Sequence, residues 1–82
     1  MVTGKKQALE SALRILGIKY SKSDSENMLE RTLKGAFSFP VSQTEWEIKR
    51  TIESLIKNAC DPTESRKSLY YLKELVSYSS WD

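Results

Sequence analysis

The sequence predicts an all-α fold of four short helices. Three observations lead there. Apolar residues recur at spacings of three and four in four separate stretches. The second, third and fourth stretches open on cap-type start signals. The one β-favouring stretch, Phe37-Ser38-Phe39-Pro40-Val41, is short, contains proline and has no partner of similar character elsewhere in the chain. At 82 residues the chain suits one hydrophobic core, so residues 1–82 are read as a single helical domain.

The first helix is expected over residues 5–16, with Ala8, Leu9, Ala12, Leu13 and Leu16 on one face and Thr3 as its N-cap. Gly17 ends it, and Ile18 is placed to fold back onto Leu13 in a Schellman cap. A serine-rich polar link over residues 19–25 comes next. The second helix takes its start from Ser23 and Glu26, spaced as a capping box, with Met28, Leu29, Leu33, Ala36 and Phe37 as its apolar face. Gly35 and the Phe39-Pro40 step stop it.

The third helix carries the clearest signal. Ser42 and Glu45 form a capping box, and Val41 with Trp46 has the spacing of a hydrophobic staple. Its body runs to about residue 58 or 60, with Ile48, Ile52, Leu55, Ile56 and Ala59 facing the core and Cys60 read as a small buried hydrophobe. Asp61-Pro62-Thr63-Glu64 then sets an N-cap, a proline in the first helical position and a carboxylate in the third. Leu69, Leu72, Leu75 and Val76 form the fourth stripe, which frays near Ser79 and Ser80. So little chain separates the third and fourth helices that they are expected to form a tight helical hairpin.

Composition narrows the chemistry. The chain has 13 Lys+Arg against 11 Asp+Glu, interleaved along its length, a balance that disfavours a purely electrostatic nucleic-acid binder. It has no histidine and a single cysteine, so the common imidazole acid/base, His-activated nucleophiles and a Cys/His zinc site are all missing. Acidic pairs such as Glu26/Glu30 read as a solvated helix face. We therefore expect no enzyme, no cofactor and no metal. No apolar run approaches the roughly 18 residues of a membrane span, and no apolar stretch succeeds the basic N-terminus as in a secretory signal. With its lone thiol the chain is expected in the cytoplasm.

One feature stands out against this background. On the fourth helix and its tail, Tyr70, Glu74, Ser77 and Trp81 share a face nearly opposite the leucine stripe, with Tyr78 nearby. If the leucines pack inside, this second face is left for a partner, because large amphipathic aromatics are frequent interface anchors. Tyr70, Glu74, Ser77, Tyr78 and Trp81 are thus the candidate partner-binding residues. The competing structural reading has Trp81 closing the core while the tyrosines reach solvent. The expected function is a small non-catalytic interaction module, such as a regulator, inhibitor, adaptor or immunity-type protein. Its partner is a larger protein, or a second copy of the chain in a homodimer. The alternative is a helix-turn-helix DNA-binding regulator using the second and third helices, which Glu45 and Glu47 at the start of the third helix oppose. Many small helical regulators share this layout, and layout alone does not fix function.

Overall fold

In a computed structural model of the chain, which describes residues 4–78, four helices form in the expected order and no strand occurs among the described residues. They are α1 (Gly4–Leu16), α2 (Glu26–Ala36), α3 (Gln43–Lys57) and α4 (Pro62–Tyr78). The expected cap Thr3, the fraying at Ser79 and Ser80, and Trp81 lie outside the described residues.

Local chemistry explains the end of α1 and the starts of the helices that follow. Gly17 takes φ 73° and closes α1 as a full Schellman motif, with Ile18 N–H donating to Leu13 O at 2.9 Å and Gly17 N–H to Arg14 O at 3.1 Å. At α4, Asp61 Oδ1 accepts from the backbone N–H of Thr63 at 2.9 Å and of Glu64 at 3.2 Å, while Pro62 fills a position that needs no N–H donor. At α3, Ser42 Oγ accepts from Glu45 N–H at 3.2 Å. The Glu45 carboxylate reaches one residue beyond the usual box and accepts from Val41 N–H at 2.7 Å.

Several expectations need correction. The cap of α2 is Ser25, whose hydroxyl accepts from Met28 N–H at 3.3 Å, and not Ser23. A turn closes first: Asp24 N–H donates to Ser21 O at 3.0 Å and Ser21 N–H to Asp24 Oδ2 at 3.1 Å. The Ser23 hydroxyl is drawn into that turn, 2.8 Å from the Ser21 hydroxyl, so the helix begins after it. The Val41/Trp46 staple does not cover its residues, because Val41 is 88% exposed and Trp46 is half exposed. Trp46 instead lies under the Lys49 ammonium, 5.1 Å from its ring centroid. Cys60, expected inside, is exposed. Helix α3 ends at Lys57 with Asn58 as its C-cap, and beyond it Ala59 still faces the core as expected while Cys60 turns outward.

The core gathers Leu9 and Leu13 from α1, Leu29 and Leu33 from α2, Ile48, Ile52 and Leu55 from α3, and Leu72 from α4, all with almost no solvent exposure. Met28 and Ala36, expected on the inner face of α2, are exposed, so Leu29 and Leu33 carry that contact with partial help from Phe37. Helix α1 touches all three others, and α3 packs closely along α4 as the hairpin requires. The buried Thr51 hydroxyl donates to Glu47 O at 2.7 Å, which removes the cost of an unpaired polar group. Two contacts tie α1 to α2 and to the link between them. Lys5 Nζ lies 3.1 Å from Glu30 Oε1 of α2, and Lys6 Nζ donates to Lys22 O at 2.8 Å in the serine-rich link.

Candidate functional site

Helix α4 has a sharp division of faces. Leu72 and Leu75 are buried, with Leu69 packed against the same core. At 100° per residue, Tyr70, Glu74 and Ser77 fall on the opposite side, and all three are exposed. Tyr70 is 67% exposed and its neighbour Tyr71 is 51% exposed. Tyr78 closes the last described turn of α4, and Trp81 lies outside the described residues. The structure thus brings together Tyr70, Glu74 and Ser77 from the expected set.

Two shallow depressions flank the Tyr70 ring. The first lies toward the start of the helix and is lined by Pro62, Thr63, Arg66 and Lys67. The second lies toward its end and is lined by Lys73, Glu74 and Ser77. A cleft between α3 and α4 adjoins the first of them and shares Lys67 with it. Lys67 and Tyr71 form its α4 side with Ser68, and Arg50 and Ser54 form its α3 side beside Glu47.

The charges on this surface are mixed, with Arg50, Arg66, Lys67 and Lys73 beside Glu47, Glu64 and Glu74, and few of them are paired. Lys67 Nζ sits 3.7 Å from Glu64 Oε1 with both side chains well exposed, so water screens the pair and it stabilises little. Arg50 and Arg66 make no ion pair among the described residues. The hydroxyls of Ser54, Ser68 and Tyr71 likewise have no hydrogen-bond partner among the described residues, whereas Thr51 and Ser65 each bond back to their own helix. The cleft therefore holds several donors that the fold does not use.

Arg50, Arg66 and Lys67 are not among the partner-binding residues that the sequence suggests. Arg66 and Lys67 lie within about 60° of Tyr70 on a helical wheel and are legible there. Arg50 is not, since only the packing of α3 on α4 brings it near Tyr71.

A second apolar surface lies on the link between α2 and α3. Phe39 is 90% exposed beside the exposed Val41, with half-exposed Trp46 on the next turn. An aromatic residue directly before proline and outside every helical stripe is the sequence signal that points to it. For the DNA-binding alternative, the first turn of α3 is already committed: Ser42 and Glu45 cap the helix, and Lys49 is held over Trp46. No helix among the described residues is long and apolar enough to cross a membrane. Comparison with protein-family models, curated proteins and solved structures found no match to this chain.

Proposed function

We propose that the chain is a non-catalytic protein-interaction module, acting in the cytoplasm as a regulator, inhibitor, adaptor or immunity-type protein, which binds a larger protein through the outward face of α4. The observation that carries this reading is Tyr70, two-thirds exposed on a helix whose opposite side packs into the core through Leu72 and Leu75. A tyrosine presents a large apolar ring with a polar tip and has only two side-chain torsions to order, so it gains contact area at low entropic cost. Depressions on both sides of the ring offer room for a partner's side chains to interlock with it, as well-packed interface centres require. The missing histidine and the lone cysteine support a role without chemistry.

The test uses site-specific photocrosslinking in the native host. A benzoylphenylalanine at position 70 should capture a discrete partner, while the same group at exposed position 31 on α2 should not. Equal capture at both positions, or none at position 70, would overturn the assignment of α4 as the binding face.

A further inference from the structure

The surface around Tyr70 also carries information about the chemistry of its partner. Arg66 and Lys67 border one side of Tyr70, and Lys67 also borders the α3–α4 cleft, where Arg50 stands across from it. These cations form a strip over two helices, which Glu47 and Glu64 interrupt. The strip is largely unneutralised, since Arg50 and Arg66 make no ion pair among the described residues and the Lys67–Glu64 pair is long and exposed. Beside it stand the hydroxyls of Tyr71 and Ser68, which no described residue engages. Guanidinium groups with neighbouring hydroxyl donors match the planar oxygen pair of a carboxylate.

We propose that this strip binds an acidic segment of a protein partner, with carboxylates at Arg50 and at the Arg66/Lys67 pair and an apolar side chain resting on Tyr70, a proposal that rests on α4 being the binding face. Isolated carboxylates fit the strip better than a nucleic-acid backbone does. Glu47 and Glu64 interrupt it, and an unbroken row of phosphates would have to cross them. A peptide can place its acids at Arg50 and Arg66 and pass the glutamates with neutral residues.

The experiment measures fluorescence anisotropy of labelled probes titrated with the full chain. The probes are a peptide of glutamate, leucine and serine, the same peptide with lysine in place of every glutamate, and single-stranded DNA of similar length. The acidic peptide should bind, weaken as salt rises, and lose about tenfold in affinity, or about 1.4 kcal/mol, against the double variant Arg50→Glu/Arg66→Glu. Both arginines are exposed, so the variant's thermal melt should match the parent's. Should it not fold, Arg50→Gln/Arg66→Gln serves in its place.

No binding of the acidic peptide, equal binding of the lysine peptide, tighter binding of the DNA, or indifference to the arginine changes would each overturn the proposal. The crosslinking experiment separates the two levels. A partner captured at position 70 that persists in the charge-reversed variant leaves the interaction reading standing and removes the acidic preference alone.

Discussion

Opposite faces of α4 give opposite predictions for the same kind of truncation. Leu72 is fully buried, and Tyr70, two residues earlier, is 67% exposed. For Leu72→Ala, lost transfer energy and the cavity left behind should cost about 2–5 kcal/mol. For Tyr70→Ala, about one third of a side chain of roughly 200 Å² is covered, which at ~25 cal/mol/Å² sets an upper limit near 1.6 kcal/mol. The higher helix propensity of alanine offsets about 0.5 kcal/mol of that, leaving about 1 kcal/mol. An 82-residue chain with an unfolding entropy of ~2.1 cal/mol/K per residue shifts its Tm by about 6 °C per kcal/mol. Tyr70→Ala should therefore lower Tm by about 6 °C at most, and Leu72→Ala by about 12 °C or more. Against a total stability of about 4–12 kcal/mol for a chain of this size, the leucine variant sits near the edge of folding. Far-UV circular dichroism melts of both variants, at matched concentration, provide the assay. If Tyr70→Ala falls as far as Leu72→Ala, the tyrosine belongs to the core and the division of faces on α4 is refuted.

Single residues elsewhere carry further predictions. Gly17→Ala should cost about 1 kcal/mol through the left-handed backbone alone, since a Cβ there meets nothing within 4 Å, and an unchanged Tm would contradict the φ of 73°. Cys60 should react with a thiol reagent in the folded chain nearly as fast as in the urea-unfolded chain; strong protection would return it to the interior. Hydrogen bonding to the Glu30 carboxylate raises the Lys5 pKa above its ordinary 10.5, with partial desolvation opposing. A raised cationic pKa adds stability that is complete below the unfolded value and is lost as pH rises through the folded one. The Tm gap between the parent and Lys5→Met should thus be steady at neutral pH and close as pH rises past the ordinary lysine value of 10.5, and a gap that widens there would reverse the sign of the coupling.

Helix starts and stops are readable wherever a boundary depends on neighbours in sequence. Asp61 and Pro62 open α4, and Gly17 and Ile18 close α1, through bonds that span six residues or fewer. The start of α2 is ambiguous because serines at positions 21, 23 and 25 offer competing caps, and Ser23 with Glu26 imitates a capping box. Only the Asp24 turn decides among them. Val41, Trp46 and Cys60 depart from expectation for a different reason. Val41 and Cys60 stand on links, where the path of the chain between helices sets direction and helical period has no say, and Trp46 stays exposed because Val41 on the link does not cover it. The same distinction governs the candidate site. Tyr70, Glu74 and Ser77 come from counting along one helix, whereas Arg50 enters through the packing of two.

Helix α4 has a second role besides presenting Tyr70: it lies against α1, the first of the four helices in the sequence. The contact joins the two most distant helices in the sequence, so closing it carries the largest chain-entropy cost in the fold and completes the core late. Whatever grips the outer side of α4 holds the clasp of the whole molecule. Occupancy should therefore slow opening of α1 as well, and amide hydrogens at Leu9 and Leu13, far from any partner, would register it as slower exchange.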